Sequence, residues 1–287
     1  VHLLLASKDS AAYFKSLEFI VIDEWHELLG SKRGVLVELA LSRLKAINPR
    51  LKIWGISATI GNLAEAKEIL LGVENTGVMV KADIKKKLHI ETVLPDSLEK
   101  FPWAGHLGIR LLDKVIPIIN AHQSTLIFTN TRSQAEIWYQ QIILNYPEFA
   151  GLLAIHHGSL SDEIRFWVEE ALHEGRLKAV VCTSSLDLGV DFRPVDCVVQ
   201  VGSPKGVARF LQRAGRSGHR PDETSKIYYV PTNSLEIIEG DSLKYAVKEH
   251  IVEQRIPYIR SFDVLIQYLM TLAVGDGFDP DQIFAEI

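Results

Sequence analysis

The stretch FIVIDEWHELLG, Phe19 to Gly30, decides how this sequence is read. Four apolar residues, Phe19 to Ile22, stop at two carboxylates, Asp23 and Glu24, and a tryptophan and a histidine follow. A short apolar run rich in Val and Ile reads as a buried strand. Burying an isolated carboxylate costs several kcal/mol or shifts its pKa, so the two acids belong where the strand leaves the core. In open parallel sheets, ligands bind beyond the carboxyl ends of the strands. One acid placed there can hold Mg²⁺, directly or through water, and its neighbour can orient an attacking water. Taken alone, the pair reads equally well as a helix N-cap, because Asp caps helices well and a helix start lies nearby. HELLG begins like His-Glu-x-x-His, but position 30 is Gly, so the second zinc ligand of a zincin is missing.

Working outward, short apolar runs alternate with helical patterns. EFIVID precedes GVLVELALSRLKAI, and LKIWGISAT precedes NLAEAKEILLG. TLIFTN precedes SQAEIWYQQIILNY, and GLLAIHHG precedes DEIRFWVEEALHEG; KAVVCTS, CVVQVG and KIYYVP follow. This alternation predicts an α/β chain with parallel sheets covered by helices. The basic segment KADIKKKLHIETVLPDS interrupts the pattern and is read as a bridge between two sheets. After VPTN the strands stop; SLEIIEGDSLKYAVKEHIVEQ and RSFDVLIQYLMTLAVG are helical, and DPDQIFAEI starts another helix. The expected organisation is a first α/β segment at 1–82, an inter-domain linker or strand at 83–97, a second α/β domain at 98–235 and the start of a helical third domain at 236–287. The opening VHLLLASKDS reads as the end of an amphipathic helix and not as a signal peptide.

The 287 residues favour two domains. With 47% hydrophobic and 23% charged residues, the composition excludes a disordered or collagen-like chain. A net charge of −5 gives no global attraction to nucleic acid, so such a partner would need a local basic surface. Cys182 and Cys197 cannot build a disulfide framework or a four-cysteine zinc site, which fits a reducing, cytoplasmic setting. The apolar runs fall far short of about 18 residues, so no membrane span is expected.

The acids keep informative company. GISATIGN places Ser57, Ala58 and Thr59 at the end of the next strand. In the order DEWH then SAT, these resemble motifs II and III of the DExH-box superfamily 2 helicases. TLIFTNTRSQAE resembles motif IV, AIHHGSLS the segment after it, VVCTSSLDLGVDF motif V and FLQRAGRSGHR motif VI. DEWHELLGSKRG, FPWAGHLG, FTNTRSQAE, SPKGVARFLQRAGRSGHR and FDVLIQYLMTLAVGDGFDP are similar to the large helicase-related (Lhr) family, with the ligase-associated DEXH-box helicases as the nearest branch. The similarity covers nearly the whole chain. It implies two RecA-like domains, then a winged helix. It also implies ATP-driven 3′→5′ translocation on single-stranded DNA, with unwinding of DNA duplex or RNA–DNA hybrid, and repair partners such as a DNA ligase or nuclease.

The resemblance also implies residue roles. Asp23 serves the Mg²⁺, Glu24 polarises the water, and His26 links hydrolysis to motif III, where Ser57 and Thr59 act in coupling. Gln212, Arg213, Gly189 and Asp191 lie by the ATP, with Asp191 a candidate for the ribose. Arg216 maps as an arginine finger. His219 separates Gly218 from Arg220, which places the second finger, Arg220, one position late. Thr129, Arg132, His157, Gly158, Thr183 and Ser184 map to contacts with a nucleic-acid backbone; each alone is equally a cap or turn residue. The residues themselves add that Arg209, Arg213, Arg216 and Arg220 are spaced as one face of a helix. Gly215 and Gly218 argue against a plain helix surface, because Gly is disfavoured in helix interiors and permits close approach of backbone to a ligand.

No Gly-x-x-x-x-Gly-Lys-Ser/Thr occurs, nor any Gly-Lys pair. The P-loop supplies a phosphate cradle and its lysine, and in the family it lies upstream of the acids. The first RecA-like domain is therefore expected to lack its Walker A half, and the chain by itself is expected not to hydrolyse ATP. Two readings stand: part of an ATP-dependent helicase, or a non-catalytic nucleic-acid-binding module. A nuclease built on Asp23 and Glu24 finds no further metal-ligand cluster to support it.

Overall fold

Phe19–Ile22 is a strand, and the alternation around it builds two parallel sheets. The computed structural model describes residues 1–58, 60–72, 77–81, 87–96, 108–187, 195–218 and 223–287. The strands are β1 Phe19–Ile22, β2 Lys52–Gly55, β3 Leu88–Thr92, β4 Thr125–Phe128, β5 Leu153–His156, β6 Ala179–Cys182, β7 Cys197–Val201 and β8 Ser225–Val230. The helices are α1 His2–Leu5, α2 Ser10–Phe14, α3 Trp25–Leu28, α4 Lys32–Ile47, α5 Leu63–Leu71, α6 Leu112–Ala121, α7 Arg132–Asn145, α8 Asp162–His173, α9 Val207–Ala214, α10 Ser234–Lys248, α11 Phe262–Val274 and α12 Pro280–Glu286. They divide into two compact units, Val1–Lys81 with Glu253–Ile287, and Ala82–Val252.

In the first unit β1 and β2 pair in parallel, Phe19 opposite Lys52 and Ile22 opposite Gly55. The connection is α4, started by Ser31, whose Oγ accepts the Gly34 N–H at 3.1 Å. One side of α4 buries Leu39, Ala40 and Leu44 against Leu5, Phe14, Val264, Tyr268 and Leu272. Its Leu41 joins Trp25, Leu29, Ala66 and Leu70 in a second cluster. The last two helices thus complete the core of the first unit. The Asp276 carboxylate beyond α11 accepts the Asp9 and Ser10 N–H groups at 2.8 and 3.0 Å, supplying α2 with a cap its own sequence lacks. In place of one amphipathic helix end, the chain opens with α1 and α2.

The second unit holds a six-stranded, wholly parallel sheet in the order β3-β8-β7-β4-β6-β5. Period-2 alternation sends Ile127, Val181, Val199 and Val201 to one face, under α6 and α7. It sends Leu126, Phe128, Val180 and Val198 to the other, under α8, α9 and α10. The sheet is buried on both faces, as a parallel sheet of this kind requires.

The structure refines the sequence reading at several points. The basic bridge contains β3, which pairs with β8 from Leu88 opposite Ser225 onward and so forms an edge of the second sheet. The helical tail divides elsewhere than at residue 235: α10 stays with the second unit because Leu243 is buried against that sheet's core, and the chain passes to the first unit at Glu253. The four motif VI arginines do not share a helical face, because α9 ends at Ala214 and Arg216 lies beyond it. Gly218, at φ +61°, has a backbone reason to be glycine. A Cβ there would stand 3.1 Å from the Thr224 carbonyl oxygen. Among the described residues no helix is long and apolar enough to cross a membrane.

Candidate functional site

Each unit carries candidate functional residues of its own at the carboxyl ends of its strands. In the first unit, Asp23 follows β1, is exposed, and accepts the Glu24 N–H on Oδ1 at 2.8 Å. Glu24 sits in the left-handed region at φ +50°, a conformation that costs a non-glycine residue and is found at functional turns. Neither acid caps α3 through its side chain, so the cap reading gives way. Among the described residues no group of three or more His, Cys, Asp or Glu side chains is placed to hold a metal. An exposed single carboxylate fits Mg²⁺ that takes its remaining ligands from phosphates and water; Asp23 would hold such an ion, with Glu24 beside it.

His26 is fully buried two residues on. Its Nδ1 accepts the Ala58 N–H at 3.0 Å, so the ring proton of the neutral form sits on Nε2, which faces Glu27 Oε1 at 3.7 Å. Burial lowers its pKa, outweighing the opposite pull of Glu24 and Glu27. The structure thereby joins His26 to the Ser57–Ala58 loop. The Ser57 hydroxyl donates to the Ala58 carbonyl at 2.8 Å. Trp25 is packing: its ring is buried and Nε1–H donates to the Ala66 carbonyl at 2.8 Å.

In the second unit, Phe128 of β4, Cys182 of β6 and His156 of β5 lie in one register row. Thr129, Thr183 and His157 follow them, so three residues far apart in sequence share one edge. They differ in what they offer. The Thr129 hydroxyl is buried and turned to the carbonyls of Thr131 and Cys182, both 3.2 Å away. His157 is buried, its Nδ1 accepting the Ser159 N–H at 3.3 Å. Arg132, Gly158 and Ser184 are exposed, and Thr183 is half-buried. Arg132, the first residue of α7, donates to Ser159 Oγ at 3.1 Å. Glu136 stands 3.6 Å from both the Arg132 and His157 side chains, an acid the sequence reading missed.

Motif VI is organised by Asp187, also missed. Arg213 is buried; its Nε and Nη2 donate to the two Asp187 carboxylate oxygens at 2.8 and 3.0 Å, and its Nη1 to Gln200 Oε1 at 2.7 Å. The guanidinium also stacks 4.7 Å from the centre of the Phe128 ring. Arg213 is therefore held in a buried, hydrogen-bonded ion pair. Arg216 is half-buried and donates to the Asp187 carbonyl through Nε at 3.2 Å and through Nη2. Arg209 approaches the Asp187 carboxylate at 3.7 Å. Gln212 is half-buried on the same helix. Arg209, Gln212 and Arg216 thus remain at the surface around a buried anchor. The signal for that anchor was an Asp inside VVCTSSLDLGVDF, but its partners lie 13 and 26 residues from Arg213. Thr59, Gly189, Asp191 and Arg220 lie outside the described residues.

Comparison with known families fits this geometry. The chain matches the DEAD/DEAH box helicase family over residues 1–66, the helicase conserved C-terminal domain over 108–220, and the winged helix domain of the large helicase-related protein over 245–287. The chain belongs to the large helicase-related family. It is 34% identical over 301 residues to the ATP-dependent helicase Lhr-Core protein 2 of Thermococcus barophilus, covering 99% of this chain and 34% of that protein. To the Lhr-Core helicase of Methanothermobacter thermautotrophicus it is 35% identical over 295 residues, again 99% of this chain and 34% of the relative. The chain thus spans about a third of the length of these relatives. The solved structure of Mycobacterium smegmatis helicase Lhr bound to ssDNA and AMP-PNP superposes with a TM-score of 0.88 at 29% identity, covering 99% of this chain and 38% of that one. The fold is accordingly that of two RecA-like domains followed by the start of a winged helix.

Proposed function

We propose that the intact protein is an ATP-driven helicase that moves 3′→5′ on single-stranded DNA and separates DNA duplexes or RNA–DNA hybrids, in DNA repair alongside partners such as a ligase or nuclease. The observation that carries the reading is the Asp23–Glu24 pair at the end of β1, joined through His26 to the Ala58 amide. That geometry sets two acids and a buried histidine on one strand edge, and supports a reading in which one acid holds the metal ion and the other orients water, as phosphoanhydride hydrolysis needs. Membership of the family, and relatives named as ATP-dependent helicases, support it. In this reading Asp23 holds Mg²⁺, Glu24 orients water, and Arg216 supplies charge to the γ-phosphate. Arg132, Gly158, Thr183 and Ser184 meet the phosphate backbone, while Thr129 and His157 shape that edge from beneath. Residues up to Lys81 are assigned to the first RecA-like domain, the Ala82–Val252 unit to the second, and the helical tail after it to the start of the winged helix.

The test is Glu24→Gln in the intact protein. The change keeps shape and removes the charge that orients water, and loss of a positioned acid–base group lowers turnover by about 10²–10⁴. DNA-stimulated ATP hydrolysis should fall by that amount while binding of a non-hydrolysable nucleotide is unchanged. Turnover near wild type would remove Glu24 from the catalytic role.

A further inference from the structure

Asn62 stands at the N-cap position of α5, yet its side chain does not cap that helix. Its Oδ1 accepts the Arg255 N–H at 2.9 Å, and its Nδ2 donates to the Arg255 carbonyl at 2.9 Å and to Glu65 Oε2 at 2.6 Å. An Asn that gives up its local cap to pair with a backbone 193 residues away is held there by tertiary structure. The neighbouring Gly61 N–H donates to the Glu253 carbonyl at 2.9 Å. Three backbone-directed hydrogen bonds therefore lash the loop after Ser57–Ala58 to the irregular segment Glu253–Ile256.

The same segment reaches the acid motif. Arg255 Nη2 lies 3.6 Å from Glu27 Oε1, and that oxygen lies 3.7 Å from the Nε2 of His26. A Cβ on Gly30, which has φ +74°, would stand 2.6 Å from the Ile256 carbonyl oxygen, so the end of the DEWHELLG stretch accepts this segment only because position 30 is glycine. One segment thus touches both the helix that carries His26 and the loop whose amide His26 binds.

We propose that Glu253–Ile256 is a strap that positions the ATPase motifs, with Asn62 as its anchor and Arg255 as its contact to Glu27, which in turn faces His26. The inference rests on the reading that Asp23 and Glu24 serve ATP hydrolysis. Asn62 and Arg255 are positioning residues: they act through the backbone of the strap and through Glu27. Their effect is to fix the distance between the two motifs that His26 bridges, and small misplacements of a catalytic constellation lower turnover steeply. The strap also lies where the chain leaves the Ala82–Val252 unit.

The experiment compares Asn62→Ser, Arg255→Ala, Arg255→Lys and Glu24→Gln in the intact protein, reading kcat and KM for ATP with DNA present, and Tm. Ser caps helices about as well as Asn but cannot reach Arg255, so Asn62→Ser separates the strap from the helix. The expected result is an unchanged Tm, a kcat lowered about tenfold and a KM for ATP within about twofold of wild type. Arg255→Ala should lower kcat about threefold, with recovery in Arg255→Lys. Wild-type kcat in Asn62→Ser, with Glu24→Gln inactive, would overturn the strap alone. Wild-type kcat in Glu24→Gln would overturn the hydrolysis reading and the strap with it.

Discussion

The two parallel sheets of this chain are covered to different extents. The six-stranded sheet is buried on both faces, and β4, β6 and β7 have no exposed residue. The two-stranded sheet is buried on one face only: Ile20, Ile22 and Ile53 point to the core, whereas Phe19, Val21, Trp54 and Ile56 are exposed. Their functional edges differ in the same sense. The arginines of the second unit stand around a buried, doubly hydrogen-bonded Arg213–Asp187 pair. The acids of the first unit are held by a backbone turn, a buried histidine and a strap from far along the chain. Position at the end of a parallel strand therefore does not specify how firmly a residue is held; the layers beneath it do.

The largest effect that would break this comparison is at Asp187. Removing one partner of a buried ion pair leaves the other charge uncompensated and costs about 3–5 kcal/mol. Asp187→Ala should therefore destabilise Ala82–Val252, with hydrogen exchange accelerated in β4, β7 and α9 and unchanged in β1, β2 and α4. A cost below about 1 kcal/mol would mean that Arg213 finds another partner, and would return it to the surface role that its motif suggests.

Much of the fold was legible in the sequence. Strand–helix alternation located seven of the strands because each is an apolar run bounded by polar residues. The eighth, β3, left a weaker signal, read only as linker or strand: LHIET sits in a lysine-rich segment and alternates half-buried with exposed, as an edge strand does. The Asp23–Glu24 edge was visible because a strand ending in acids is a local signal. The arginine spacing misled because periodicity does not register where a helix stops; Gly215, just past Ala214, was the available sign. The Asp187–Arg213 pair and the Asn62–Arg255 lashing are contacts between distant segments, and neither leaves a periodic trace.

A smaller effect sharpens the comparison through pH. Glu38 of α4 is pushed from its ordinary value near 4.5 up to about 6 by burial. A carboxyl whose pKa is raised by folding contributes stability that is present below its unfolded pKa and is lost as pH rises through the folded one. Between about pH 4.5 and 6 this group therefore weakens the first unit as pH increases. Glu38→Gln should remove that contribution, leaving the first unit more stable than wild type above pH 6 and the second unit unaffected. Urea denaturation across this range, followed by hydrogen exchange of α4 and β4, reads the difference. An unaltered pH dependence in Glu38→Gln would show that the carboxyl is solvated.

The smallest effect comes from making one substitution in both sheets. Val→Thr keeps the branched shape that suits a strand and adds a hydroxyl. At Val180, fully buried in β6, that hydroxyl loses water without a partner and should cost about 1–3 kcal/mol. At Val21, which is 45% exposed in β1, the hydroxyl stays hydrated and the cost should lie within about 0.5 kcal/mol, the usual range for surface substitutions. Val21→Thr should nonetheless reduce binding of a hydrophobic dye, because it interrupts the apolar patch that Phe19, Trp54 and Ile56 form with it. Denaturation midpoints and dye fluorescence of the two variants of the 287-residue chain provide the check. A cost at Val21 matching that at Val180 would mean that this face is covered in solution, and the contrast between the two sheets would disappear.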